Sequence, residues 1–116
     1  MSRPLRLYLS DIINSIDKIQ DYTANLTYDR LGKDNKTLDA VVHNLLIIGE
    51  ATKQIPSSLR RKYPQIEWKE IAGLRDIIAH NYFSLNSKII WDIVQTELHP
   101  LKDCVENILQ NEDLDN

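Results

Sequence analysis

Arg75, Asp76, His80 and Tyr82 fall within one short stretch, Arg75-Asp76-Ile77-Ile78-Ala79-His80-Asn81-Tyr82, and their types suit phosphate chemistry. An arginine is a permanent cation whose planar guanidinium can hold a phosphate through two parallel hydrogen bonds, and a histidine moves protons near neutral pH. Cleavage of RNA by its own 2′-hydroxyl needs both: proton transfer at the sugar or leaving oxygen, and stabilisation of the extra negative charge that gathers on phosphorus. His80 would move the proton and Arg75 would hold the phosphate. Asp76, one helical turn before His80, could fix the imidazole tautomer and orientation. On spacing alone structural roles are the commoner outcome, in which Arg75 pairs with Asp76 or a neighbouring helix, His80 caps a helix end and Tyr82 fills the edge of a core.

Those residues must be positioned by a helix. Stepping about 100° per residue places Arg75, Asp76, Ala79, His80 and Tyr82 on one broad arc and Ile71, Leu74, Ile77 and Ile78 on the opposite side. The pattern predicts one helix from near Glu67 through Tyr82, with its apolar side on a core and its polar arc facing a cleft or a partner. Arg75 and Tyr82 share a stripe two turns apart, and the small Ala79 leaves space between them.

Three other helices are predicted to carry the core. The first is marked by Leu5, Tyr8, Leu9, Ile12, Ile13, Ile16 and Ile19, with Ser2 as a possible cap and Pro4 in the first turn. From Asn25 to Lys36 the period breaks around Gly32, which predicts a loop. The second helix carries Leu38, Val41, Val42, Leu45, Ile48, Thr52 and Ile55 and stops at Pro56, because the residue before a proline is pushed out of helical geometry. Gly49 inside its pattern predicts a close crossing with another helix. Ser57 to Tyr63 reads as a short turn ended by Pro64, and the last helix runs from a cap at Asn86 or Ser87 to Ile108 with a kink at Pro100. The expected architecture is an all-α, antiparallel bundle of four to five helices, one domain over residues 1–116, with a frayed tail at 110–116.

Charge and composition narrow the function classes. The formal net charge of −3 argues against a protein that coats nucleic acid through bulk positive potential. Locally, Lys53, Arg60, Arg61 and Lys62 fall in a stretch without acids, either a solvated basic turn or a phosphate-attracting rim. The lone Cys104 cannot form an internal disulfide, and no leader opens the chain, which points to a reducing cytoplasm. Apolar runs such as Leu45 to Gly49 are too short to span a bilayer. His43 and His99 show no ligand spacing with His80, so neither a metal nor another cofactor is predicted.

The string Arg75, four residues, His80, one residue, Tyr82 resembles the signature of the HEPN ribonuclease superfamily, and in particular of the HepT-like toxins of MntA/HepT toxin–antitoxin systems. The similarity extends through Tyr8-Leu9-Ser10-Asp11-Ile12, Asp39-Ala40-Val41-Val42-His43-Asn44-Leu45, Ile48-Gly49-Glu50-Ala51, Pro64-Gln65-Ile66-Glu67-Trp68 and Ile89-Ile90-Trp91. It implies a metal-independent endoribonuclease acting on transfer or messenger RNA, a homodimer formed through the motif-bearing helices, and Arg75 and His80 as catalytic residues. It also implies an MntA-like nucleotidyltransferase antitoxin that attaches AMP groups to Tyr82. The chain departs from the family pattern at His43, where arginine is common, and at Asp76, where asparagine is frequent. A helix-surface or interface role for His43 is the simpler reading.

The competing class is a helical interaction module without catalysis, whose polar arc binds a nucleotidyltransferase partner. Growth arrest on expression, relieved by His80→Ala, separates the two.

Overall fold

The longest apolar stripes in the sequence become the two longest helices, and they pack on each other. The computed structural model describes residues 3–82 and 87–114, with the side chains of residues 81 and 82 outside the description. Among the described residues the chain forms eight helices and no strand: α1 (Leu5–Thr23), α2 (Tyr28–Lys33), α3 (Asn35–Thr52), α4 (Ser57–Arg60), α5 (Trp68–Ala72), α6 (Leu74–Tyr82), α7 (Ser87–Thr96) and α8 (Leu98–Asn111). None is long and apolar enough to cross a membrane.

Leu9, Ile12, Ile16 and Ile19 of α1 meet Val41, Leu45 and Ile48 of α3, and Leu101, Val105 and Ile108 of α8 complete the centre, all fully removed from solvent. Burying each such aliphatic side chain stabilises the fold by about 1.5–3 kcal/mol. This all-α arrangement is the expected HEPN-type bundle.

The ends of α3 are fixed by side chains. At its start the Asp34 carboxylate accepts from the Thr37 hydroxyl at 2.7 Å and the Thr37 backbone N–H at 3.0 Å. Those two bonds hold the Asp34 carboxyl below the usual carboxylate range. At its end Arg60 reaches back and donates to the carbonyls of Thr52, at 2.7 Å, and Ile55, at 3.0 Å. It thereby adds a second donor to the Thr52 carbonyl, which ends the helix and also accepts from the Ile55 N–H at 3.1 Å, and ties down the Ile55 carbonyl just beyond it.

Gly49 does what its place in the stripe predicts. A Cβ there would lie 3.3 Å from both the Ile71 carbonyl oxygen and the Leu74 Cβ, so α3 touches the α5–α6 region at backbone distance. Trp68, buried at the start of α5, donates its indole N–H to the Tyr63 carbonyl at 2.8 Å and pins the other end of that region.

Several boundaries differ from the sequence expectation. The 25–36 segment is not a plain loop but contains α2, capped by the Thr27 hydroxyl, which accepts from the Arg30 N–H at 3.2 Å, and held by the fully buried Leu31. The helix expected from Glu67 through Tyr82 is broken at Gly73 into α5 and α6. The last helix is two helices: α7 ends at Thr96, and Pro100 sits in the first turn of α8 instead of kinking a continuous rod. A first-turn proline lacks only an N–H that would have no intrahelical partner anyway. Pro4 directly precedes α1; the proposed caps Ser2 and Asn86 lie outside the described residues.

The tail is held further than expected. α8 continues to Asn111, and Glu112 accepts from Lys62 Nζ and from the Tyr63 hydroxyl, each at 2.9 Å. The Lys62 bond, then the Tyr63 bond, lowers the Glu112 carboxyl, while burial and then that same carboxylate raise the Tyr63 phenol.

Candidate active site

The motif helix begins later than its apolar pattern suggests, and the reason is local. The Gly73 N–H closes α5 by donating to the carbonyls of Lys69 and Glu70, and the Gly73 carbonyl then accepts from the N–H groups of Asp76 and Ile77 to open α6. Arg75 and Asp76 therefore lie in the first turn of α6. Leu74 and Ile78 are buried and Ile77 is half-buried, while Arg75, Asp76, Ala79 and His80 are exposed. The split predicted from helical spacing is the split that α6 adopts. Tyr82 is the last residue of α6; its side chain belongs to those not described.

Arg75 is lightly held. Its Nη1 lies 3.9 Å from Glu50 Oε1 on α3, and the same carboxylate oxygen lies 3.3 Å from Lys53 Nζ. With the Arg75 side chain 71% exposed, such a contact contributes about 0–1 kcal/mol. An incoming phosphate can replace it. Among the described residues no hydrogen bond or ion pair joins Asp76 to His80, although their spacing allows one. The imidazole therefore faces solvent without an orienting partner from its own α6 acid.

Glu50 was not singled out by sequence spacing. It is the residue after Gly49, and the close α3 crossing at Gly49 is what carries the next side chain beside Arg75. One turn further back and on the same stripe, Leu46 and then His43 line a groove between α3 and α1 that also includes Glu50. His43 is exposed, as a helix-surface residue would be.

The basic stretch is used differently. Arg60 is bound to carbonyls, Lys62 to Glu112 and Lys53 to Glu50, so three of its four cations serve the fold or a neighbouring carboxylate. Among the described residues no group of three or more histidine, cysteine or acidic side chains is placed to hold a metal ion. Cys104 is buried, which pushes its thiol up to about 11 and keeps it unreactive at neutral pH. A concavity of about 740 Å³ between Pro4, Leu59, Lys62 and Leu114 shares no residue with the motif helix.

Comparison with known proteins fits this arrangement. The family described as ribonuclease HepT-like matches residues 12–108. A Methanocaldococcus jannaschii protein, named only as a candidate RNase, is 46% identical over 79% of this chain and 76% of its own length. A protein of Thermococcus cleftensis named as a probable ribonuclease HepT is 36% identical over 93% of this chain and 98% of its own. Another candidate RNase, from Caldanaerobacter subterraneus, is 37% identical over 92% and 96%. No solved structure matches. The chain, from α1 to the last turns of α8, belongs to the ribonuclease HepT-like family.

Proposed function

We propose that the protein is the toxin of a toxin–antitoxin pair, a metal-independent endoribonuclease that cuts transfer or messenger RNA in the cytoplasm. The observation that carries this reading is the exposed Arg75–His80 arc of α6, seated on α3 through Gly49 and matched to a ribonuclease family. In the reaction the 2′-oxygen attacks the adjacent phosphorus and the bond from phosphorus to the 5′-oxygen breaks. A 2′,3′-cyclic phosphate and a 5′-hydroxyl result. Arg75 neutralises the charge that builds on the non-bridging oxygens, and His80 takes the proton from the 2′-hydroxyl or gives one to the departing 5′-oxygen. Asp76 lies close enough in sequence to support His80, although it does not bond to it in the free chain.

An open arc also supports a homodimer through the motif-bearing helices. In one protomer His80 is exposed, and two arcs face to face would enclose the phosphate and supply two imidazoles, one for each proton. For control, an MntA-like nucleotidyltransferase would transfer AMP from ATP to Tyr82. The phenol oxygen bonds to the α-phosphorus and pyrophosphate leaves. The added nucleotide brings negative charge and bulk to the stripe that Arg75 occupies, where it competes with substrate phosphate.

Purified protein incubated with RNA and EDTA should yield cyclic-phosphate ends, and a DNA strand of the same sequence should survive because it lacks the attacking hydroxyl. Intact RNA, or full activity of His80→Ala, refutes the catalytic reading and leaves a helical interaction module. With the transferase, ATP and magnesium, the chain should gain the mass of AMP; Tyr82→Phe should not. Continued labelling of that variant moves the modification to another tyrosine.

A further inference from the structure

The groove between α1 and α3 has chemistry that the reaction above leaves unused. It encloses about 440 Å³, within the range of about 300–1,000 Å³ typical of small-ligand clefts. Leu46 and Ile47 supply an apolar floor, and Glu50 and Gln54 supply a polar rim. On the α1 side is a built shelf: the Arg3 guanidinium lies over the Tyr8 ring, 4.8 Å from its centroid, and is tied to Asp11 at 2.6 Å.

Two features identify an occupant. The shelf presents a layered guanidinium and phenol, the kind of surface on which unstacked bases lie. The rim carries carboxylates at Asp11 and Glu50, which repel a phosphate but accept hydrogen bonds from the amino groups of cytosine, adenine or guanine. Continuity with the motif is direct, because the Glu50 carboxylate that lines this groove is the one beside Arg75.

Resting on the proposed ribonuclease reading, we infer that the groove is a nucleobase subsite for single-stranded RNA. It takes the base of a nucleotide flanking the phosphate held by Arg75, stacks it on the Arg3–Tyr8 shelf, and uses Glu50 to favour an amino-bearing base over uracil. Arg3, Tyr8 and Glu50 are specificity-determining residues, distinct from the groups that move protons.

The test uses short labelled strands containing a single ribonucleotide, so that one bond can be cut, with cytosine, uracil or an abasic unit at either neighbouring position. An abasic unit at one of the two positions should raise KM about tenfold with kcat little changed. Arg3→Ala should raise KM on the intact strand to the same extent and lose nothing more on the abasic one. Glu50→Gln should abolish a preference of about tenfold for cytosine over uracil, a ratio that mere release of Arg75 would not move. Both residues are exposed, so these variants should fold. Indifference of KM to the abasic unit at both positions, or unchanged KM and base ratio in the variants, overturns the inference while the ribonuclease stands. If no strand is cut, the ribonuclease reading fails, and anisotropy of the same strands decides the groove. Weaker binding by Arg3→Ala, equal to that of the abasic strand, sustains it, and equal binding overturns it. A variant that binds RNA normally but sediments as a smaller assembly assigns the groove to contact between copies, which also overturns the inference.

Discussion

Two cation-bearing regions, the turn around α4 and the arc of α6, look equally suited to phosphate in the sequence and are used in opposite ways. In the first, Arg60 has its guanidinium sunk onto the carbonyls of Thr52 and Ile55, and Lys62 is clasped to Glu112. In the second, Arg75 is offered to solvent with one long contact, and Asp76 and His80 stand exposed beside it. The polar groups of the α4 turn have structural work inside the molecule. Those of α6 have little, and an exposed polar cluster without internal work is the better candidate for work on a ligand.

The largest expected break in that contrast is Arg75→Ala. It should lower RNA cleavage by about 10²–10³-fold and leave the melting temperature almost unchanged, as surface substitutions generally do. Arg60→Ala should do the reverse, costing about 1–3 kcal/mol by taking the side-chain donor from the Ile55 carbonyl and one of two donors from the Thr52 carbonyl without altering cleavage per folded molecule; denaturant titration alongside an RNA assay reads both. Gly49→Val pushes a branched side chain against the Ile71 carbonyl and Leu74, both close to backbone, and should cost about 1–3 kcal/mol. Because that crossing seats α6, activity per folded molecule should fall as well, unlike with Arg60→Ala.

The smallest effect concerns pH. The Glu112 carboxyl is lowered in the folded chain by Lys62 and Tyr63, so its contribution is present above the ordinary glutamate pKa of about 4.3 and is lost as pH falls through the lower folded value. Asp34, lowered by Thr37, behaves in the same way at the start of α3. Acid titration of the wild type should therefore loosen the end of α8 below about pH 4, and Glu112→Gln should remove that component; amide exchange at α8 reports it.

The long amphipathic helices were legible because each needs only its own period: the buried residues of α1 and α3 are those that recur every three or four positions. The exposed side of α6 was legible for the same reason. What escaped was interruption without loss of period. Ile71 and Leu74 stay on one apolar stripe across Gly73, and Val94, Leu98 and Leu101 do so across Glu97, so the pattern continues where the backbone does not. α2 escaped because six residues with one buried leucine carry no period at all. Glu50 beside Arg75 and the Arg3–Tyr8 shelf depend on how α1, α3 and α6 cross, which no single stretch of sequence encodes.

The break at Gly73 has a thermodynamic consequence. Isolated helices shorter than about 12–15 residues are marginal in water, and α6 has nine, so its order is borrowed from α3 through the Gly49 contact. Its amides should exchange by local opening before those of α1 or α3. Whatever covers the arc then acts on that opening equilibrium: a ligand specific for the closed helix, present at about a hundred times its Kd, would add about 2.7 kcal/mol of protection. The exchange rate of α6 is thus a gauge of occupancy that requires no catalytic turnover.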